Sequence, residues 1–388
     1  MGARGRDLFS DPANGWAGCT NGSSTPRRPE SNCGQVYASM VVSKKIHMSH
    51  VPFFHSFSVA RLVFGTLSSM ILHGATVESR AADVATVGRP VRVVSFSFRA
   101  GQPLDEIALR IDAEGAKGVD LVILPETWRG QNDRSLEPMD GPTVQALAKL
   151  AKKHHTYIVS PIDCERGGCR FNTAVVLDRA GQIVGSYDKA FPYWSEFDHA
   201  QKVQPGRSAP VIQTDFGKLG LAICFDVNFP EVWQRLADAV AELVAWSSAY
   251  SAGTHLQAYA LLHHFYIMTS TSAGDCQAYD LTGERILDER SDGIHISHLT
   301  LDLDRGIYHT NFNEEKKAAL LKEHADEVRQ VKWLEREQWF VLQALKPGVS
   351  ARGLARQYGL EDLRSYISRS RKSIDAMRGW NFSAGEEK

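Results

Sequence analysis

The sequence predicts an α/β fold in which sheets and helices form packed layers. Between residue 90 and about residue 304, short apolar runs alternate with segments whose apolar residues recur three or four positions apart. The pair Gly167-Gly168 separates two apolar runs and is typical of a β-hairpin. Hairpins join antiparallel strands, so we expect mixed sheets rather than purely parallel ones.

The elements follow from these two patterns in chain order. Val and Phe dominate residues 91–98, which predicts a strand. Residues 104–117 place Leu104, Ile107 and Ile111 on one helical face, which predicts a helix. Further strands are predicted at 119–124, 156–162, 172–177, 219–225, 242–246, 266–271, 278–281 and 295–301, and further helices at 143–154, 231–240 and 255–264.

The region before this pattern differs in composition. Residues 1–88 are rich in Gly, Ser, Asn, Pro and Arg and lack sustained periodicity, which predicts a disordered leader. Residues 57–72 resemble the apolar part of a signal peptide if translation starts at Met48. We therefore expect a cytoplasmic protein, with export as the alternative for a start at Met48.

The predicted core domain covers residues 89–304, and residues 305–388 form a predicted helical C-terminal extension. Its charge-laced segment 313–345 is predicted to be helical, and residues 349–377 are predicted to form two more helices. Such an extension cannot form much core by itself. We expect it to pack on the main domain or on a second subunit.

Composition argues against several classes of function. The 388 residues carry a net charge of −1, which gives no reason to expect nucleic acid as a partner. No run of 18 or more apolar residues is present, so no membrane span is expected. The six cysteines are too scattered for a disulfide scaffold, and too few ligands accompany Cys164 and Cys169 for a metal site.

Three apolar runs end in chemically capable residues. Glu126 follows Leu-Pro, Lys189 follows Tyr-Asp and Cys224 follows Ala-Ile. A carboxylate, an ammonium and a thiol that converge would supply a base, an oxyanion stabiliser and a nucleophile for acyl transfer. Glu196, in the aromatic-rich loop after Lys189, is a candidate second carboxylate. Each residue also has an ordinary explanation, as a loop acid, a surface lysine or a buried structural cysteine.

Taken together, these strings resemble the nitrilase superfamily, the carbon–nitrogen hydrolases with a Glu-Lys-Cys triad. The resemblance covers roughly residues 91–304. It implies a four-layer α-β-β-α sandwich that usually dimerises through its helices. The matching strings are Leu124-Pro-Glu, Phe171-Asn-Thr-Ala-Val-Val-Leu, Asp178-Arg-Ala-Gly-Gln-Ile-Val-Gly-Ser-Tyr-Asp-Lys, Pro205-Gly, Phe216-Gly-Lys-Leu-Gly-Leu-Ala-Ile-Cys-Phe-Asp and Phe229-Pro-Glu.

The resemblance also implies a role for each site residue. Glu126 would be the general base, Lys189 the oxyanion stabiliser, Cys224 the nucleophile and Glu196 the supporting glutamate. The backbone N–H of Phe225 would complete the oxyanion hole. The resemblance implies neither a metal nor an organic cofactor.

The expected substrate is a small amide or an N-carbamoyl amine, cleaved at a non-peptide C–N bond. Phe-Asp follows the cysteine, where nitrile hydrolases of the superfamily typically carry Trp-Glu. Nitrile hydrolysis is therefore the alternative. Four aromatic residues are candidate walls of the substrate pocket: Trp128, Tyr193, Trp194 and Trp246.

A second class of function remains open for the C-terminal tail. Residues 349–363 resemble a helix-turn-helix with Gly359 at the turn, and residues 350–378 contain seven Arg or Lys against three Asp or Glu. This pattern favours the hypothesis of a catalytically silent core with a binding tail. We prefer a helical arm that extends the interface of a homodimer or higher oligomer.

Overall fold

A computed structural model of the chain describes residues 86–197 and 202–380. The predicted leader, including its signal-like segment, lies almost entirely outside the described residues. Among the described residues, no helix is long and apolar enough to cross a membrane.

Fifteen strands and seven α-helices make up the part of the chain that the structure describes. The strands are β1 (Pro90–Ser97), β2 (Leu121–Ile123), β3 (Tyr157–Arg166), β4 (Cys169–Leu177), β5 (Ile183–Asp188), β6 (Val211–Gln213), β7 (Lys218–Ile223), β8 (Leu243–Ser248), β9 (Tyr266–Thr271), β10 (Asp275–Tyr279), β11 (Arg285–Arg290), β12 (His295–Asp302), β13 (Gly306–His309), β14 (Val328–Leu334) and β15 (Trp339–Ala344). The helices are α1 (Leu104–Gly115), α2 (Pro142–His154), α3 (Pro230–Asp238), α4 (Thr254–His263), α5 (Glu314–Glu323), α6 (Ala351–Gln357) and α7 (Leu363–Arg378).

Two six-stranded sheets form the centre of the molecule. The first has the order β12-β1-β2-β3-β4-β5, and the second has the order β11-β10-β9-β8-β7-β6. In the first sheet β1, β2 and β3 run parallel, and in the second β7, β8 and β9 run parallel. The remaining pairs are antiparallel, including the β3–β4 hairpin. The prediction of mixed sheets is confirmed.

Three apolar clusters show how the layers stack. The largest cluster joins the inner faces of the two sheets, with Val93 and Ile123 from one and Leu221 and Ala245 from the other. A second cluster packs α1 and α2 on the outer face of the first sheet. A third packs α3 and α4 on the outer face of the second sheet. The predicted four-layer α-β-β-α sandwich is therefore confirmed.

Most predicted elements are present with shifted ends, and one shift matters for the site. The prediction extended a strand over 219–225, whereas β7 ends at Ile223 and a 3-10 helix begins at Cys224. Cys224 has φ +46°, in the left-handed region. The chain therefore turns sharply at the cysteine instead of continuing as a strand.

The C-terminal extension contains both helices and a sheet. The two predicted helices within 349–377 are confirmed as α6 and α7. The predicted helix over 313–345 is wrong beyond α5, because β14 and β15 pair there with β13 in a three-stranded antiparallel sheet. Burial of apolar side chains in β15 stabilises this sheet, whereas β14 is largely half-exposed. The charged residues of this segment give it the composition of a solvent-facing helix, which explains the error.

This extension packs on the sandwich through ion pairs and hydrogen bonds. Lys332 donates to the buried carboxylate of Asp280 at 2.6 Å. Ser350, at the start of α6, donates to Asp304 at 2.6 Å. Arg352 binds Glu242, which precedes β8, at 2.9 Å. Of the two locations expected for the extension, these contacts show packing on the main domain.

Several basic residues of the tail are used inside the chain. Arg352 binds Glu242, and Arg369 binds Glu361 at 2.8 Å. Arg364 donates to the backbone carbonyls of Ala241 and His264. Side chains held in this way are less available to contact phosphates, which weakens the hypothesis of a nucleic-acid-binding tail.

Candidate active site

Three strand ends bring the predicted triad together. Glu126 lies in the turn after β2, Lys189 directly follows β5 and Cys224 directly follows β7. The first two belong to one sheet and the third to the other. Because the two sheets pack face to face, these side chains meet at one edge of the sandwich.

Lys189 lies between two carboxylates. Its Nζ is 2.8 Å from Oε1 of Glu126 and 2.8 Å from Oε2 of Glu196. All three residues are nearly inaccessible, at 1%, 4% and 3% exposure for Lys189, Glu126 and Glu196. Charges buried this deeply require partners, so the three side chains form one electrostatic unit.

The pKa shifts in this unit follow from burial and charge. Burial disfavours the ammonium of Lys189, but the carboxylates of Glu126 and Glu196 and the neighbouring Cys224 outweigh it and raise the lysine pKa. Burial acts to raise the pKa of Glu196, but Lys189 and hydrogen-bond donors hold that pKa below its ordinary value. At neutral pH, Lys189 and Glu196 are therefore both charged.

Two amide side chains complete this unit, and the sequence analysis assigned them no role. Asn172 Nδ2 donates to Oε1 of Glu126 at 2.8 Å and to Oε1 of Glu196 at 3.0 Å. Gln131 Nε2 donates to Oε1 of Glu196 at 2.8 Å. Asn172 lies within the fully buried strand β4. Its signal in the sequence is weak, because the same strand also contains the polar residues Arg170 and Thr173.

The backbone at Gly206 packs closely against the backbone at Asp188 and Lys189 and holds Lys189 in place. The backbone N–H of Gly206 donates to the carbonyl of Lys189 at 2.9 Å. A Cβ atom at residue 206 would lie 2.1 Å from the carbonyl oxygen of Asp188. Only glycine fits this approach, which explains the glycine of the Pro205-Gly206 pair.

The nucleophile candidate lies on a sharp turn. Cys224 begins the 3-10 helix Cys224–Asn228, and N–H groups in a first helical turn lack partners within the helix. The carbonyl of Cys224 accepts a hydrogen bond from the indole of Trp246 at 3.2 Å. This arrangement places the thiol beside backbone donors such as the N–H of Phe225.

The thiol of Cys224 is protonated at rest. Burial raises its pKa, and the carboxylate of Glu126 raises it further, whereas Lys189, Ser248 and the backbone N–H of Ala249 act in the opposite direction. The net pKa lies well above the ordinary value for cysteine. The thiol must therefore lose its proton to a neighbouring base before it can act as a nucleophile.

The segment after β8 also reaches the site. The backbone N–H of Ala249 donates to Oε2 of Glu126 at 2.8 Å, which fixes the second carboxylate oxygen. Tyr250 is half-exposed, and burial and the neighbouring Cys224 raise its pKa. Tyr250 is not among the four aromatic residues predicted from the sequence as pocket walls.

Asp226 connects the cysteine turn to the lysine loop. Its carboxylate is fully buried and accepts hydrogen bonds from Tyr187 Oη at 2.7 Å, Ile223 N at 2.9 Å and Phe191 N at 2.9 Å. Burial raises the pKa of Asp226 to about 6 despite these donors. One side chain thus fixes the backbone before Cys224 and after Lys189.

Replacing Tyr187 with Phe is expected to destabilise the protein by about 1–3 kcal/mol, because the buried Asp226 loses a hydrogen-bond donor. The pKa of Asp226 would then rise further. A buried carboxylate whose folded pKa lies above its unfolded pKa destabilises the folded protein when it is ionised. Asp226 is ionised at pH 8 and largely protonated at pH 5, so the loss of the Tyr187 donor should cost more stability at pH 8 than at pH 5. Urea unfolding at the two pH values measures both effects.

Tyr259→Phe is the matched control for this variant. Tyr259 is also buried, but its hydroxyl donates to the neutral backbone carbonyl of Val227 at 3.1 Å. Its loss should be smaller and independent of pH. An equal, pH-independent loss in both variants would show that Asp226 does not depend on Tyr187.

The four predicted pocket aromatics divide into two pairs. Trp128 and Trp246 are fully buried in the apolar clusters beneath the helices. Neither ring is accessible to a substrate in this structure, so the structure gives no support to the prediction that they form pocket walls. Tyr193 and Trp194 are instead 41% and 62% exposed, and Tyr193 lies against the ring of Phe225.

Metal-ligating side chains do not cluster in the described part of the chain. Residues 86–197 and 202–380 contain no group of three or more His, Cys, Asp or Glu that could hold a metal ion. The adjacent His263 and His264 diverge: His263 stacks on Tyr259, and Nδ1 of His264 lies 3.2 Å from the carbonyl of Leu281. Burial lowers the pKa of both imidazoles to about 4, so both are neutral at pH 7.

Comparison with known proteins agrees with this geometry. A sequence model described as carbon-nitrogen hydrolase matches residues 84–306, more than half of the chain. The chain belongs to the carbon–nitrogen hydrolase family. The fold of this carbon–nitrogen hydrolase is similar to that of Nit3 from Saccharomyces cerevisiae, described as a member of branch 10 of the nitrilase superfamily. The TM-score is 0.50 at 20% sequence identity, over 59% of this chain and 95% of Nit3.

Three curated relatives show how similar this carbon–nitrogen hydrolase is to known sequences. It is 33% identical over 168 residues to beta-ureidopropionase of Arabidopsis thaliana, which covers 40% of this chain and 41% of that protein. It is 30% identical over 156 residues to hydrolase C26A3.11 of Schizosaccharomyces pombe, which covers 36% of this chain and 48% of that protein. It is 26% identical over 194 residues to omega-amidase NIT2 of Danio rerio, which covers 47% and 68%. The chain thus spans less than half the length of the first two relatives.

Proposed function

We propose that this carbon–nitrogen hydrolase cleaves the C–N bond of a small amide or N-carbamoyl amine through a thioester on Cys224. The observation that carries the proposal is the buried unit of Glu126, Lys189 and Glu196 next to that cysteine, with both Lys189 contacts at 2.8 Å. A base, a cation and a thiol in one enclosed place are the groups that acyl transfer requires.

In the first half of the reaction, Glu126 takes the proton of the Cys224 thiol, and the thiolate attacks the substrate carbonyl carbon. The ammonium of Lys189 and the backbone N–H of Phe225 stabilise the negative oxygen that forms. The C–N bond then breaks, and Glu126 returns the proton to the leaving nitrogen. Ammonia or an amine departs, and the acyl group stays on the sulfur.

In the second half, Glu126 takes a proton from water, and the resulting hydroxide attacks the thioester. The C–S bond breaks, the acid leaves, and the proton returns to the sulfur of Cys224. Glu196 also binds Lys189, and Asn172 donates hydrogen bonds to both carboxylates. The lysine is therefore positioned before substrate arrives.

Two observations support amides and carbamoyl amines over nitriles. The relatives include proteins named beta-ureidopropionase and omega-amidase. The residues after Cys224 are Phe225 and Asp226, rather than the Trp-Glu typical of nitrile hydrolases in this superfamily. The half-exposed rings of Tyr193 and Tyr250 border the site and would contact the substrate's substituents.

A homodimer or higher oligomer is part of the proposal. The outer layer of α3 and α4 leaves Leu262 64% exposed, with Val240 at the end of α3 also exposed. We propose that a second subunit covers Leu262 on this outer helical layer. Light scattering of the purified protein measures the oligomeric state.

Ammonia release from a panel of aliphatic amides, carbamoyl amines and nitriles tests the proposed reaction. We expect turnover of at least one amide or carbamoyl compound, and a loss of about 10³-fold or more in Cys224→Ala, which removes the nucleophile. Cys276→Ala is the matched control, because Cys276 is also buried but lies in β10 beside Ser95. Turnover confined to nitriles would contradict the substrate class, and an active Cys224→Ala would contradict the mechanism.

A further inference from the structure

A cavity of about 330 Å³ lies between the second sheet and the C-terminal extension. Its lining includes Lys218 at the start of β7, Glu242 before β8 and His264 before β9. Cys224 follows the opposite end of β7. A six-residue strand spans about 20 Å, so the cavity is well separated from the candidate active site.

Four basic residues line this cavity. Lys218 comes from the sandwich, and Arg352, Arg356 and Arg364 come from α6 and α7. Arg364 is held against the sandwich by its hydrogen bonds to backbone carbonyls, one of them to Ala241 at 2.8 Å. The basic side chains are therefore brought together by the fold from distant parts of the sequence.

The two carboxylates in the lining already have partners. Glu242 binds Arg89 and Arg352 and accepts a hydrogen bond from the backbone N–H of Lys218 at 3.1 Å. Asp362 caps α7 and accepts hydrogen bonds from Ser365, at 3.1 Å from its N–H and 2.6 Å from its hydroxyl. Neither carboxylate is therefore available to pair with Lys218 or Arg356.

Two cations remain without a fixed partner. Within the described residues, the side chains of Lys218 and Arg356 make no hydrogen bond or ion pair. Burial and the neighbouring Arg352 lower the pKa of Arg364 to about 10, so the guanidinium groups repel one another while remaining charged at pH 7. Four cations against two carboxylates leave the lining with an excess of positive charge.

We propose that this cavity binds a small oxyanion carrying about two negative charges, of the phosphate or dicarboxylate class. Arginine side chains present paired N–H donors that match the oxygens of such groups. Tyr308 and Ser365 add hydroxyl groups to the lining. A volume of about 330 Å³ accommodates inorganic phosphate or malonate with space for further atoms of a larger ligand.

A ligand in this cavity would contact both the sandwich and the C-terminal extension. An anion bound to Lys218 and Arg356 at once would connect β7 to α6. These residues belong to the sandwich and to the extension, so the ligand would strengthen the attachment of one to the other. A ligand that binds only the folded form raises the melting temperature.

Titration of the full chain with sodium phosphate, and separately with sodium malonate, tests the proposal. Sodium chloride at matched ionic strength is the reference. We expect saturable heat by isothermal titration calorimetry, and a melting temperature raised by about 2 °C or more at saturation. Binding of phosphate alone assigns the phosphate class, and binding of malonate alone assigns the dicarboxylate class.

The double variant Lys218→Gln with Arg356→Gln is expected to weaken binding about tenfold or more, because both unpartnered cations are lost. Arg371→Gln is the matched control, since Arg371 is exposed on α7 and does not line the cavity. Should the double variant melt early without ligand, Arg356→Lys, which keeps the charge, must bind more tightly than Arg356→Gln. No saturable binding of either anion, or equal binding by wild type and double variant, would overturn the proposal.

Discussion

Glu126→Gln is expected to reduce hydrolysis by about 10²–10⁴-fold, the range typical for the loss of a general base. The same substitution should make Cys224 more acidic. Burial and the carboxylate of Glu126 both raise the pKa of that thiol, whereas Lys189 lowers it. Removing the carboxylate leaves burial alone to oppose Lys189, so the pKa of Cys224 falls while catalysis is lost.

Two measurements on one variant separate these effects. Steady-state ammonia release gives the loss of hydrolysis, and the pH dependence of iodoacetamide alkylation gives the acidity of the thiol. We expect the alkylation profile of Glu126→Gln to move to lower pH than that of the wild type. A misfolded site would lose hydrolysis without this shift. A profile that moves to higher pH would contradict the placement of Glu126 against the thiol.

Glu315→Gln is the matched control for Glu126→Gln. Glu315 is exposed on α5, in the C-terminal extension. The substitution removes the same charge from the chain without touching the site. We expect neither the rate of hydrolysis nor the alkylation profile to change.

Lys189→Met is expected to destabilise the protein by about 3–5 kcal/mol at pH 8, because Glu126 and Glu196 would remain buried without their cation. The loss should be smaller at pH 5. Without Lys189, burial would raise the folded pKa of Glu196 above its unfolded value, so the protonation of Glu196 at low pH relieves the repulsion. Urea unfolding at the two pH values measures the loss and its direction with pH.

Adding Glu196→Gln to Lys189→Met should recover part of that loss, since one of the two unpaired charges is then removed. Lys149→Met is the control, because Lys149 is exposed on α2 and makes no ion pair within the described residues. A deficit in Lys189→Met that is equal at pH 5 and pH 8 would show that packing, rather than charge, determines the loss.

The triad is predictable from sequence for a physical reason. Glu126, Lys189 and Cys224 each end an apolar run, and the ends of packed strands meet at the edge of a sheet. Asn172 gives a weaker signal, because it lies within a strand and its role depends on which face of that strand meets the site. The same uncertainty applies to Trp128 and Trp246, which lie buried in the apolar clusters beneath the helices.

The sheet of the C-terminal extension was not predictable from local pattern. Its central strand β15 pairs with β13, which lies before α5 in the chain. Pairing between distant segments leaves no local periodicity. The neighbouring strand β14 carries Arg329 and Lys332 beside Val331 and Trp333, a mixture that also fits an exposed helix. The helices α6 and α7 have caps at Ser350 and Asp362, which are local signals that sequence does show.

The contacts between the sandwich and its extension show that the family domain and the folding unit of this chain end at different residues. The family match ends at residue 306, but Asp280 is neutralised by Lys332 and Glu242 by Arg352, both beyond that point. A fragment cut at residue 306 would retain the triad but lose these partners, leaving Glu242 with Arg89 alone and Asp280 with Arg305 at 3.5 Å. The segment that contains the catalytic residues is therefore shorter than the segment that must be synthesised before the chain can fold completely.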